Sequence, residues 1–171
     1  EVQDFADDNR EVIGTAGDDA KLGQARDLGL DVGVNYRSQD FAEEALKATG
    51  GRGVDVLLDV IGADYWERNM KSLAPKGRMV IVGLMGGNAT NANLGALLQK
   101  RLQVRGTTLR ARAMEEKAQA TRAFEKSVVP HLASGRIRVV VDRIYPLAEA
   151  AAAQEYMASN ANFGKIVLSV A

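Results

Sequence analysis

The feature that most constrains the fold is a short, nearly continuous apolar run, residues 54–61 (VDVLLDVI), which has glycine on both sides. Such a run is typical of a strand in a parallel sheet, because helices cover both of its faces. A second apolar run, residues 78–82 (RMVIV), follows after one helical segment and also ends in glycine. Two such strands joined by a helix form a right-handed βαβ unit. The sequence therefore predicts an α/β fold with a parallel sheet.

The composition argues against several classes of protein. Lys plus Arg and Asp plus Glu each number 22, so the formal net charge is zero and no overall field attracts a nucleic acid. The lack of cysteine removes disulfides and thiolate metal sites, and it fits a reducing compartment. We expect no membrane span and no signal peptide, because neither a run of ~18 apolar residues nor a charged-then-apolar leader is found. The sequence thus predicts a soluble, cytoplasmic protein that acts on small molecules.

Strand and helix patterns alternate through Gly106, which predicts a doubly wound parallel sheet, and this rhythm slackens beyond Arg112. Predicted strands cover residues 11–15, 32–36, 53–61, 78–83, 102–106, 139–141 and 166–168. Predicted helices cover residues 18–28, 41–48, 65–73, 94–100, 114–134 and 147–157. Asp18 and Asp40 are the predicted N-caps of the first two helices, and Pro130 should kink the fifth.

The glycine-rich turn that normally opens a dinucleotide-binding fold is missing from the sequence. A G-x-G-x-x-G turn should follow the first strand, but none precedes Val12. In the usual strand order, 3-2-1-4-5-6, the missing first strand would separate the strands at Val12 and Asp55, which would face an unpaired gap. Residues 1–10 resemble the tail of a helix that begins outside the sequence. We therefore expect a fragment with an incomplete Rossmann-like sheet.

Eight segments occur in an order and spacing that resemble one family. They are residues 14–17 (GTAG), 34–37 (VNYR), 53–62 (GVDVLLDVIG), 83–87 (GLMGG), 93–95 (NLG), 108–112 (TLRAR), 142–147 (DRIYPL) and 164–168 (GKIVL). Over its whole length the chain resembles the carboxyl-terminal half of zinc-independent quinone oxidoreductases, in the medium-chain dehydrogenase/reductase superfamily. The branch it most resembles is the one named for its tumour-suppressor-inducible human member.

This resemblance implies a domain organisation and an activity. Residues 1–111 would be a partial dinucleotide-binding (Rossmann) domain, and residues 112–171 a return segment that packs on a catalytic domain absent from the chain. The strands near Val139 and Ile166 would pair with a sheet of that absent domain. The implied activity is hydride transfer from NADPH to quinone-like acceptors, without a metal and in a homo-oligomer.

Two alternatives to a quinone reductase stay open. The enzyme alternative is an enoyl-thioester reductase that acts on conjugated alkenes. The non-enzyme alternative is an inactive truncated isoform or a cofactor-binding module. We expect the isolated chain to be inactive, because no catalytic residue or metal-ligand cluster can be named in it. His131, the only histidine, is better explained by packing.

The first group of predicted cofactor-binding residues comprises Thr15, Gly17, Lys21 and Tyr36, at the adenosine end of a dinucleotide. The end of the strand at Thr15 offers no carboxylate for a ribose 2′-hydroxyl. The resemblance implies that Lys21 and Tyr36 hold the 2′-phosphate of NADPH. From spacing alone, a solvated lysine and a strand-end tyrosine are the simpler interpretation. Asp18 departs from the family pattern. Its carboxylate would repel a phosphate.

The second group of predicted cofactor-binding residues follows the later strands, whose carboxyl ends form the ligand-binding edge of an open sheet. It comprises Asp59, Gly62, Gly83, Leu84, Met85, Thr108, Leu109 and Arg110. Asp59 is equally well explained as a buried structural carboxylate held by loop amides. Gly83 would also serve a tight exit from its strand. Thr108 to Arg110 would also suit an exposed edge that meets a partner subunit.

Overall fold

The computed structural model describes residues 10–170, which form two compact units, residues 10–113 and residues 114–170. The first unit contains β1 (Ile13–Ala16), α1 (Asp19–Arg26), β2 (Val32–Asn35), α2 (Phe41–Ala48), β3 (Val54–Asp59), α3 (Trp66–Ser72), β4 (Leu73–Ile81), α4 (Leu94–Lys100) and β5 (Gln103–Gly106). The second unit contains α5 (Met114–Ser127), α6 (Val129–Ala133), β6 (Val141–Pro146), α7 (Ala150–Ala158) and β7 (Lys165–Ser169). Of the helix remnant predicted for residues 1–10, residues 1–9 lie outside the described residues.

The first unit contains two parallel sheets. β1 pairs with β2, and β3, β4 and β5 form a second sheet in that order. The prediction of an α/β fold with parallel strands is therefore confirmed. In the described part of the chain β1 and β3 each have one hydrogen-bonded neighbour, so the two sheets are not joined. This is the arrangement expected if a strand between β1 and β3 is missing.

Two apolar clusters hold the first unit together. One is formed by Val34, Phe41 and Ala42, with Tyr65 packed against it, and it connects β2 and α2 to the turn before α3. The other contains Met70, Leu73 and Met79, and it fills the space between α3 and the β3–β4–β5 sheet. Burial of these side chains accounts for the helix-on-sheet layering.

The predicted helix caps are present. Asp18 accepts a hydrogen bond from the backbone N–H of Lys21, and Asp40 accepts bonds from Ala42 and Glu43. The far end of α3 is capped in a way that the sequence did not indicate. The Lys100 ammonium donates to the carbonyl oxygens of Met70, Lys71 and Leu73 at 2.8–3.0 Å. These carbonyls have no partner within the helix, so a lysine from α4 satisfies them.

The proline and glycine of residues 75–77 favour a turn after α3, and in the structure they lie in an irregular part of β4, which begins at Leu73, before the predicted start at residue 78. Val54 pairs with Leu73 and Val56 pairs with Arg78, so β4 carries extra residues between two paired positions. Lys76 adopts a φ of 67° within this irregular part. A bulge of this kind bends the strand without ending its pairing.

The second unit differs from prediction at two points. The predicted strand at 139–141 starts only at Val141, and β6 runs to Pro146. The predicted long helix ends at Ser127, and Pro130 lies in the first turn of the separate helix α6, where its missing N–H is tolerated. β6 and β7 pair in parallel with each other, and the pairing with a sheet of another domain that the resemblance implies stays a prediction.

Candidate functional site

The carboxyl ends of β1 and β2 bring the first group of predicted residues together. Ala16 pairs with Asn35, so Gly17 and Tyr36 leave the two strands side by side. A Cβ atom added to Gly17 would lie 2.6 Å from the Tyr36 hydroxyl oxygen. Lys21 lies in the first turn of α1, where its N–H donates to Asp18 Oδ1 at 2.8 Å. Thr15, near the end of β1, is exposed at the same edge.

Asn35 fixes the loop that follows β2. Its Nδ2 donates to Asp19 Oδ1 at 2.9 Å, and its Oδ1 accepts from the N–H of Arg37 at 3.1 Å. Arg37 also approaches Gly17, since an added Cβ would lie 3.2 Å from Arg37 Nε. The sequence analysis did not select Arg37. Its position in the segment VNYR, next to Tyr36, was the signal available.

At the end of β3, the Asp59 carboxylate is buried within its own loop. Asp59 is 4% exposed. Its Oδ1 accepts from the N–H groups of Ile61 at 2.8 Å and Gly62 at 3.2 Å, and Oδ2 accepts from Gly62 at 3.1 Å. A buried carboxylate needs such donors. Of the two interpretations of Asp59, this geometry supports the structural one, because the hydrogen bonds of the carboxylate shape the turn.

Gly62 allows the turn after β3 to lie against the turn after β4. Its φ is 84°, and an added Cβ would lie 2.7 Å from the Gly87 carbonyl oxygen. Backbone bonds join the two turns, from Gly86 N to Ile61 O at 2.7 Å and from Ala63 N to Gly87 O at 3.0 Å. The backbone groups at this edge of the sheet therefore bond to each other. The turns after β3 and β4 thus form one rigid surface, which we call the ledge.

The side chains on this ledge are accessible. A Cβ on Gly83 would lie 2.8 Å from the Val60 carbonyl oxygen, so a tight strand exit accounts for the glycine. The next residues, Leu84 and Met85, are 54% and 83% exposed. Beside them lies a shallow, largely apolar cavity of about 290 Å³, which is lined by Gly62, Ala63, Trp66, Ile81, Leu84 and residues 87–90.

The loop after β5 is held by an arginine that the sequence analysis did not select. Thr107 N–H donates to Ile81 O at 3.0 Å, which extends the β4–β5 pairing by one bond. Arg112 then donates from Nε to the Thr108 carbonyl oxygen at 2.6 Å, and from Nη2 to Thr107 Oγ1 at 2.9 Å. These two hydrogen bonds close the loop that contains Thr108, Leu109 and Arg110. These three residues are exposed.

Tyr65 lies between the two groups of predicted residues. Burial raises the pKa of Tyr65, and Tyr36 and Asp59 are close enough to add to the effect, which Arg68 opposes. The Arg68 guanidinium carbon lies 4.3 Å from the centre of the Tyr65 ring. Because Tyr36 follows β2 and Asp59 ends β3, this tyrosine links the carboxyl edges of the two sheets.

Two further classes of site were sought within residues 10–170. No group of three or more His, Cys, Asp or Glu side chains in that part of the chain could hold a metal ion. None of its helices is both long enough and apolar enough to cross a membrane.

Solved structures resemble the chain over most of its length. An NAD-dependent alcohol dehydrogenase is 30% identical, with a TM-score of 0.77, over 94% of this chain and 44% of that protein. An Escherichia coli quinone oxidoreductase in complex with NADPH is 35% identical, with a TM-score of 0.77, over 94% and 49%. A 2-haloacrylate reductase is 31% identical, with a TM-score of 0.73, over 94% and 50%. The chain thus spans about half the length of these proteins.

A family model agrees with these structures. Residues 28–168 match the model described as zinc-binding dehydrogenase, which is well over half of the chain. The solved structures belong to the medium-chain dehydrogenase/reductase superfamily of oxidoreductases and include quinone oxidoreductases. The chain therefore belongs to the zinc-binding dehydrogenase family of this superfamily.

Proposed function

We propose that this chain is the cofactor-binding part of an NADPH-dependent reductase that passes hydride to a quinone or a similar electron-poor acceptor. The observation that carries the proposal is that Tyr36, which follows β2, lies beside Gly17, which follows β1, while α1, with Lys21 in its first turn, begins directly after Asp18. A cation and a phenol hydroxyl at this edge suit the 2′-phosphate that distinguishes NADPH from NADH.

The residues of the chain would bind and orient the cofactor. Lys21 would supply charge to the 2′-phosphate, and Tyr36 a directional hydrogen bond. Gly62 and Gly83 shape the ledge along which the cofactor would lie, and Leu84 and Met85 are exposed on it. Bound NADPH supplies the hydride, and the protein supplies position and polarity.

The residues described for this chain do not fit a zinc site, and the proposed acceptor does not require one. The family description names zinc, but no three potential ligands lie together within residues 10–170, so they do not fit that ion. No step proposed for this chain therefore runs through a metal. An acceptor that is already electron-poor, such as a quinone, needs least polarisation. The likeness to a quinone oxidoreductase whose structure contains NADPH supports the same choice.

A conjugated alkene is the second candidate acceptor, and the likeness to a 2-haloacrylate reductase favours it. Because the chain spans about half of these proteins, the choice needs protein that also contains the other half. Turnover of a quinone compared with an enoyl thioester would separate the two. Faster turnover of the enoyl thioester would replace the quinone assignment.

Cofactor binding is testable on the chain itself by calorimetric titration with NADPH and NADH. We expect NADPH to bind about tenfold more tightly, and Lys21→Gln to remove most of that difference. Lys47→Gln is the matched control, because that side chain is 79% exposed on α2. Equal affinities for both cofactors would refute the phosphate site. No binding at millimolar cofactor would favour the inactive isoform.

A further inference from the structure

We propose that Arg37 is a second phosphate-binding cation at the adenosine end, and that its charge compensates for Asp18. The inference rests on the proposed use of NADPH. It answers a difficulty that the sequence left open, since Asp18 places a carboxylate where the 2′-phosphate should bind. Arg37 follows β2 and supplies a guanidinium beside Gly17, the neighbour of Asp18, and planar guanidinium groups bind phosphate oxygens in pairs.

The geometry places Arg37 beside the residues already assigned to the phosphate. A Cβ on Gly17 would lie 2.6 Å from the Tyr36 hydroxyl oxygen and 3.2 Å from Arg37 Nε. Both side chains therefore extend back from the end of β2 over the end of β1, into space that any other residue at position 17 would fill. The backbone of Arg37 is fixed by the bond from its N–H to Asn35 Oδ1 at 3.1 Å.

The charges at the ends of β1 and β2 show why a second cation matters. Asp18 and Asp19 follow β1 and contribute two negative charges, whereas Lys21 in α1 and Arg37 after β2 contribute two positive charges, so these four residues are neutral together. Without Arg37 one cation would face two carboxylates, and this edge would repel a phosphate that carries about −1.5 to −2. Asp18 is the carboxylate next to Gly17, over which Arg37 extends, so Asp18 is the one that we expect Arg37 to balance.

The test uses the full chain and two small probes, adenosine 2′-monophosphate and adenosine, with affinities measured by calorimetry at fixed salt. We expect Arg37→Gln to weaken binding of the phosphorylated probe about tenfold and to leave adenosine unchanged. Arg37→Lys should keep part of the affinity, because it retains the charge but not the fork. Arg122→Gln, at an exposed arginine of α5, is the control and should change neither affinity.

A double-mutant cycle tests the compensation of Asp18. Asp18→Ser in the Arg37→Gln background should restore most of the lost affinity, because the repelling carboxylate is then gone. Equal affinity of wild type and Arg37→Gln for the phosphorylated probe would overturn this inference and leave the proposed function intact, provided that wild type still prefers it to adenosine. If wild type binds both probes equally, the NADPH site itself is refuted. Because Arg37 is exposed, its variants should unfold at the wild-type temperature.

Discussion

The structural role of Asp59 leads to a prediction that separates it from cofactor binding. Its carboxylate holds the N–H groups of Ile61 and Gly62 in the turn after β3. Hydrogen bonds to a charged acceptor contribute ~1.5–3 kcal/mol each, so two amides represent roughly 3–6 kcal/mol. Burying the carboxylate opposes folding by several kcal/mol. We therefore expect Asp59→Ala to lower the free energy of unfolding by about 2–3 kcal/mol, without any cofactor present.

Urea unfolding of the chain, followed by fluorescence and circular dichroism, measures this loss. Trp66 is the only tryptophan and lies at the start of α3, four residues after Gly62, so its fluorescence reports on the same region. Asp64→Ala is the matched control, because that carboxylate is exposed in the adjoining turn and its removal should change stability by less than ~0.5 kcal/mol. If Asp59→Ala costs no more than this control, the structural account of Asp59 is wrong.

Three further predictions concern stability. Gly62→Ala should destabilise the chain by roughly 1–3 kcal/mol, because φ is 84° and the Gly87 carbonyl oxygen is in the way; an unchanged urea midpoint would contradict this. Lys100→Met should cost about 2 kcal/mol by leaving the last carbonyls of α3 without their ammonium donor, whereas Lys47→Met should cost almost nothing. The Arg52 guanidinium donates hydrogen bonds to both carboxylate oxygens of Asp55 and lowers the pKa of that carboxyl from its usual value of 3.8. The stabilisation that this pair contributes is therefore present above pH 3.8 and is lost as the pH falls through the lower pKa of the folded state. Arg52→Gln should therefore destabilise at neutral pH and make no difference in strong acid, and a difference that persists in acid would reverse the assigned sign.

Local sequence signals predicted much of the first unit. The apolar runs at β3 and β4 predicted the central parallel pair. The burial on both faces that this composition also predicted is wrong for β3, because Val56 and Leu58 are 55% and 69% exposed on one face of the strand. Asp18 and Asp40 were identified as caps, because a capping side chain needs only its own next two or three residues. The resemblance to a family selected Gly17 and Tyr36, which follow two strands that pair in register.

The signals failed where the determining contact is distant in the chain. β4 starts where Leu73 pairs with Val54, five residues before the apolar run that predicted the strand, so the proline and glycine at 75–77 fall within an irregular part of it. The pairing of β6 with β7 was not among the predictions. Strand pairing is a choice among distant segments, and local periodicity does not encode it.

The sequence by itself determined that parallel strands end in small and polar residues at one edge of a sheet. Only the tertiary structure decided which side chains meet there. It placed Arg37 over Gly17, closed Arg112 on its own loop, and set Tyr65 between the two sheets. The physical reason is the distance over which each kind of signal acts. Caps and apolar periodicity depend on residues within about one helical turn, whereas charge compensation and loop closure depend on distances that exist only after the strands have paired.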